Sequence, residues 1–312
     1  KGIVVPAEPA LTHDIDFQSL QVRLKGEGLP VLGDGDQFNY PLNHAQASLW
    51  LDQFLEHRFK DFGAYEDAIS RQHRVMWHGV LTPMLNIGLL TPRQILDRTL
   101  ERAKQADIPL NSLEGFIRQI VGWREFMAVM YRRYGVTMRN GNFWKFEDRP
   151  IPDAFYTGNT GLPPIDDAIK HALQTGYCHH IERLMLLGNM MQLCGFHPDR
   201  VYVWFMELFV DAYDWVMVPN VYGMGTFADG GIFSTKPYIC GSNYILKMSN
   251  YKKNEWCDTV DGLYWRFVDK NFDKIKNNHR LSFMKKTLER MDVDRKRTIF
   301  KKAENFINDN TC

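Results

Sequence analysis

The 312-residue sequence predicts an all-α fold of many helices. Apolar residues recur at spacings of three and four from residue 43 onward, alternation of the strand type is scarce, and Pro and Gly clusters stand at the joins. With 45% hydrophobic and 13% aromatic residues, the chain can bury a large core as one large or two smaller domains.

Taken in order, Asn43 opens a helix whose apolar side carries Leu49, Trp50 and Phe54. Leu81-Thr-Pro marks a join, Thr91 starts a second helix, and Asn111 starts a third. Phe116, Ile120, Trp123, Met127, Met130 and Tyr131 form one long apolar stripe, and Trp123 reads as core packing. A loop from Gly158 to Pro164 leads to a helix start at Asp166, and Leu184, Leu187 and Met191 give the next stripe. His197-Pro198 breaks it, Asp199 restarts it, and Pro219 and Lys236-Pro237 interrupt the remainder. The run from Lys270 to Lys302 is rich in Lys and Arg, and reads equally as a solvated helix face or as a basic surface. Neither an internal repeat nor a low-complexity tract is found.

No run of about 18 apolar residues occurs, which predicts no membrane span, and Lys1-Gly-Ile-Val-Val-Pro lacks a signal-peptide pattern. A cytoplasmic, monomeric protein is the expectation. Cys178, Cys194, Cys240, Cys257 and Cys312 form neither an even disulfide set nor a Cys-x-x-Cys pair, so they read as buried or free thiols. A net charge of +1 neither demands nor excludes a nucleic-acid partner.

The segment Thr175-Gly-Tyr-Cys-His-His-Ile-Glu-Arg183, after Gly158-Asn-Thr-Gly-Leu-Pro-Pro-Ile-Asp-Asp-Ala-Ile169, places two adjacent histidines beside Glu-Arg, a setting for proton and charge chemistry. The order resembles the flavin-binding core of photolyases and cryptochromes, with His180 where many members have Asn, the pattern of photolyases acting on (6-4) photoproducts. Three further blocks resemble the bacterial (6-4) branch: Trp77 to Gln94, Arg118 to Phe126, and Asp211 to Asn220 with Gly230 to Tyr238. The resemblance implies the multi-helix FAD-binding domain of that fold over residues 41–312, a linker over 1–40, and an N-terminal α/β antenna domain, with its antenna chromophore, outside this chain.

The resemblance also implies site residues. His78, Gly79, Leu81 and Thr82 stand at the flavin-phosphate cradle, and Tyr65 near the adenosine end. Gln119 and Arg124 line the pocket, with a one-residue difference from other photolyases around Gly122. Arg183 and Asp211 form an ion pair beside the isoalloxazine ring, where a guanidinium stabilises negative charge. Met217 takes the place nearest flavin N5. His180 is the proton donor, since imidazole exchanges protons near neutral pH, with His179 orienting it and Tyr238 in the lesion pocket. Trp204 matches the inner electron donor, and Tyr244 and Tyr156 are candidates for later hops.

Members of the branch bind a four-iron cluster through four thiolates. Here Pro164, Lys252 and Glu255 fall at three of those positions and Cys257 lies near the fourth, so neither a cluster nor another metal is expected. The Lys-Lys-Asn-Glu-Trp loop is expected to replace it with ion pairs and a buried Trp256. The function implied is light-driven repair of (6-4) photoproducts in UV-damaged DNA by electron transfer from reduced FAD. The alternative is a cryptochrome-like flavin light sensor that repairs nothing.

Overall fold

The computed structural model describes residues 4–13, 15–33 and 38–311. Among them helices dominate and there is no strand; Ile69 and Ser249 form an isolated parallel bridge. Cys312 lies outside the described residues.

Helix α1 (Phe17–Gly26), in the segment read as a linker, buries none of its residues. The linker is nevertheless fastened: Glu8 pairs with Arg74 at 2.9 Å, and the Tyr40 hydroxyl donates to the Thr175 carbonyl at 2.7 Å. Helix α2 (His44–His57) begins as its sequence dictates, with the Asn43 side chain accepting from the Gln46 amide. It buries Trp50, Leu51 and Phe54. After the short α3 (Phe62–Tyr65) and α4 (Thr82–Asn86), α5 (Pro92–Gln105) opens on a full capping box between Thr91 and Gln94.

Three expected starts shift. Helix α6 (Leu110–Ile117) begins before Asn111, directly after Pro109. Helix α9 (Pro163–Thr175) begins at Pro163, and Asp166 instead accepts from the Thr160 and Gly161 amides of the preceding loop. Helix α11 (Pro198–Leu208) takes His197, not Asp199, as its cap. In α9 and α11 Pro at the first turn sets the start, because its fixed φ suits a helix and its missing N–H removes an orphan donor.

Helix α6 runs through a π-helical turn (Arg118–Trp123) into α7 (Arg124–Arg139). A second π turn (Glu182–Gly188) continues into α10 (Asn189–Cys194), and α12 (Asp214–Val218) continues into a third (Pro219–Gly225). Between them lie α8 (Ala154–Thr157), α9 and α11. Helix α13 (Ser242–Met248), α14 (Trp256–Ile275), α15 (Met284–Glu289) and α16 (Val293–Thr311) complete the chain.

Two apolar cores result. The larger gathers α9, α10, α11, α14 and α16 around Trp204, Phe155, Ile165 and Leu186. The smaller gathers Phe54, Phe59, Met84, Ile95 and Phe116. Helices α14 and α16 approach closely at Gly262, where an added Cβ would lie 2.0 Å from the Ile299 carbonyl oxygen. Part of the basic run at this end is a paired helix face: Lys302 meets Asp258 at 2.8 Å, and Arg295 bridges Asp258 and Asp261. Cys178, Cys194, Cys240 and Cys257 are free and buried. Trp256 is buried, its indole donating to the Lys252 carbonyl at 3.2 Å. Among the described residues the ion pairs expected beside it do not form: Lys252, Lys253 and Glu255 are exposed to solvent, where pairing two long side chains gains little.

Candidate flavin site

A cavity of about 380 Å³ lies between the two cores. Its walls combine Phe62, Leu81, Phe116 and Ile120 of the smaller core with Val201, Phe205, Met217 and Val221 of the larger. Each π turn supplies wall residues: Gln119 and Trp123 from the first, Leu184 and Gly188 from the second, Asn220 and Met224 from the third. One extra residue per turn re-aims side chains, inside a continuing helix for the first two turns and at the helix end for the third, and such bulges cluster at functional sites.

The loop from Val75 to Leu81 forms one wall under strain. Met76 and Val80 have φ of 54° and 50°, a left-handed conformation costly for a β-branched residue. Packed against it, α9 ends at Gly176, with φ of 65° and a Cβ position 3.2 Å from Val210 Cβ, so glycine alone fits comfortably. That turn delivers Tyr177 to Arg183 to the cavity.

Arg183 is the electrostatic centre. Its guanidinium makes a bidentate pair with Asp211 at 2.8 and 3.1 Å, donates to the Cys178 carbonyl at 2.7 Å, and lies 4.3 Å from the Phe209 ring centroid. Burial opposes its charge, but Asp211 outweighs it and keeps the pKa above the usual value. Arg124 lies over the Trp215 ring at 5.1 Å, its pKa lowered by burial.

The adjacent histidines have opposite surroundings. His180 is half exposed at the cavity, Nε2 3.2 Å from Asp67 Oδ1. The Asp67 pKa is lowered chiefly by that hydrogen bond. His179 is fully buried, stacked on His78 at 4.8 Å and 8°. Neither ring nitrogen of His179, nor Nε2 of His78, has a protein hydrogen-bond partner. Burial drives both pKa values down, His78 to about 3 and His179 well below the ordinary value. One nitrogen from each of His78, His179 and His180 falls within a 4.8 Å cluster.

Of the residues implied by the sequence, His78, Gly79, Leu81, Thr82, Gln119, Arg124, His180, Arg183, Asp211 and Met217 all line this cavity. His179 stands behind His78. Tyr65 is not on the wall; it stacks on Trp77 at 4.4 Å. Tyr238 is half buried in the loop after the third π turn, also off the wall. Trp204 is fully buried behind Phe205, 5.1 Å away, and its indole donates to the Phe155 carbonyl at 3.0 Å. Its neighbour Tyr156 reaches Glu207 at 3.0 Å; Tyr244 is half buried, its pKa pushed up to about 12 by burial. Trp123, read as core, is instead a half-buried wall residue, because the π turn rotates it off the apolar stripe. Sequence reasoning missed Asn220, Met224 and Phe205; the one-residue offset at Gly122 was the available signal for the first π turn.

The sequence model for the FAD binding domain of DNA photolyase matches residues 116–255. A protein of Agrobacterium fabrum named (6-4) photolyase is 36% identical over 290 residues, 88% of this chain and 56% of its own length. Residues 116–255 match the photolyase FAD-binding family, and 88% of the chain is similar to that bacterial relative. The chain spans little more than half the length of that relative. A Synechocystis cryptochrome has the same fold over 90% of this chain and 59% of its own, with a TM-score of 0.55 at 14% identity. A class III photolyase from Agrobacterium tumefaciens aligns over 86% of this chain and 56% of its own, with a TM-score of 0.54 at 18% identity. The lining of the cavity suits a flavin dinucleotide. Phe205, Leu184, Val216 and Ile120 offer apolar surface for a ring system. The Arg183 guanidinium, the Thr82 hydroxyl and the unpartnered His78 Nε2 offer polar contacts.

Proposed function

We propose that this chain is the flavin-binding, catalytic part of a light-driven enzyme that repairs (6-4) pyrimidine photoproducts in UV-damaged DNA. The observation that carries the reading is an exposed imidazole, His180, sharing one cavity with the buried Arg183–Asp211 pair. Bound reduced FAD would supply a light-excitable electron donor. Arg183 holds positive charge at the wall, and Asp211 fixes its plane, so negative charge entering the site meets a preorganised partner. Gln119, Arg124 and Thr82 hold the remaining polar parts of the cofactor. His180, oriented by Asp67, donates a proton to the flipped lesion and recovers it. Flipping costs a few kcal/mol and least at a damaged, unstacked step, which favours the lesion over intact DNA. Tyr238 contacts the flipped base, and Tyr65 the adenosine end. Trp204, with Tyr156 or Tyr244, connects the cavity to the surface for electron supply.

The reading is of a monomer without a four-iron cluster. Pro164 has no ligand atom, and Lys252 and Glu255 offer no thiolate. Among the described residues no helix is long and apolar enough to cross a membrane.

The test is illuminated repair of an oligonucleotide carrying one (6-4) photoproduct, by the FAD-loaded chain and by His180→Ala. Wild-type repair lost in the variant, with flavin retained, supports the reading. Equal repair by both removes His180 from catalysis. Flavin and damaged-DNA binding without repair in either would favour the light sensor.

A further inference from the structure

The carboxyl group of Glu182 is among the most buried acidic groups in the fold, 2% exposed, and nothing in the repair reading uses it. It sits between two imidazoles. Oε1 lies 3.3 Å from His171 Nδ1, and Oε2 faces His179 Nε2 at 3.6 Å. The second distance is too long for a hydrogen bond, and neither of these two atoms has a hydrogen-bond partner among the described residues. A buried carboxylate oxygen and a buried ring nitrogen each carry a desolvation penalty that a mutual hydrogen bond relieves. Closing the gap takes a small rotation of either side chain.

We propose that Glu182, held by His171, is a positioning residue for the histidine pair: it accepts from His179 Nε2 and locks that ring as the neutral Nε2–H tautomer. In a neutral imidazole the bond made by one nitrogen decides the state of the other, so Nδ1 becomes an acceptor only. The surroundings keep the ring uncharged. His78, His180, His171 and the Arg183 guanidinium all oppose an imidazolium here, and burial opposes it more strongly. Facing Glu182 are also the Cys178 thiol, whose pKa burial pushes well up, and the phenol of Tyr251, which donates to Asp167 at 2.9 Å. The adjacent histidines thus divide their work: His180 exchanges protons with substrate, and His179 stays a fixed neutral acceptor beside it. The proton moves between Nε2 of His179 and Glu182 in no step.

This inference rests on the repair reading for its purpose but not for its test. Nitrogen NMR of the 15N-histidine chain, as purified and in the dark, separates the two neutral tautomers and the imidazolium. The wild-type His179 signal is expected as a single Nε2–H tautomer, unchanged between pH 5.5 and 8. Glu182→Gln, nearly the same shape, should lose that single state and show an Nδ1–H population, because the amide can donate to Nε2. His171→Asn should do so in part. A wild-type Nδ1–H or charged ring overturns the proposal even if neither variant folds. So does an unchanged tautomer in folded Glu182→Gln. A wild type that holds the Nε2–H tautomer yet repairs no lesion supports this inference and sinks the repair reading alone.

Discussion

Replacing Asp211 by Asn removes the only carboxylate that contacts the Arg183 guanidinium among the described residues while keeping the side-chain shape. The two charges sit 2.8 to 3.1 Å apart, and at that range two unit charges attract by about 5.5 kcal/mol at an effective dielectric near 20. Desolvation already offsets part of this in the wild type, so the relevant quantity is the cost of stranding a charge. Breaking one side of a buried pair costs about 3–5 kcal/mol. Arg183 would retain the Cys178 carbonyl and the Phe209 and Tyr177 rings, which places Asp211→Asn near the middle of that range. For a chain of this size, about 4 kcal/mol lowers Tm by roughly 6 °C. Thermal unfolding followed by circular dichroism at pH 7, before and after FAD addition, reads both stability and flavin retention. Removing both charges, with Arg183→Met and Asp211→Leu, should recover most of the stability but not the flavin. A Tm within 2 °C of wild type for Asp211→Asn would refute the claim that this pair is a buried electrostatic centre.

Three further outcomes are expected. His78 and His179 are neutral when folded but bind a proton near pH 6.5 when unfolded, so the unfolded state takes up more protons below that pH and stability falls on acidification. Between pH 7.5 and 5.5 each ring should cost about 1.4 kcal/mol, seen as a lower urea midpoint, with half of the loss absent in His78→Asn; equal midpoints at both pH values would contradict the burial argument. Gly262→Ala should destabilise by about 1–3 kcal/mol through the Ile299 contact, although Gly→Ala inside a helix ordinarily stabilises, so denaturation giving the opposite sign would disprove the close approach. Trp204→Phe should cost about 1 kcal/mol by stranding the Phe155 carbonyl and should slow flavin bleaching under blue light with a reductant; unchanged bleaching kinetics would remove Trp204 from the relay.

Much of the fold was legible where chemistry is local. Asn43 and Thr91 cap helices by bonds to residues three positions away, and the apolar stripe from Phe116 to Met130 follows helix spacing. Asp166 and Asp199 look like caps in sequence, but Pro163 and Pro198 set the starts. The cavity residues of the phosphate loop and of Arg183–Asp211 came from motif order, and the structure brings them to one wall. The contrast between His179 and His180 was not legible: two neighbouring identical residues differ only in which way the helix entry turns them, one into the core and one toward Asp67. The role of Glu182 was hidden for the same reason, since His171 lies eleven residues away on another helix.

The three π turns have an engineering consequence. Each adds one residue to a helical turn, the first two inside a continuous rod and the third at the end of one, so the cavity is carved by rotating walls, not by breaking them. Deleting Gly122 would let α6 and α7 merge into an ordinary α-helix, with better ladder geometry and the whole of α7 turned by about 100° relative to α6. Such a chain would trade binding for rigidity. Those turns are therefore where a more stable but vacant version of this fold is one codon away.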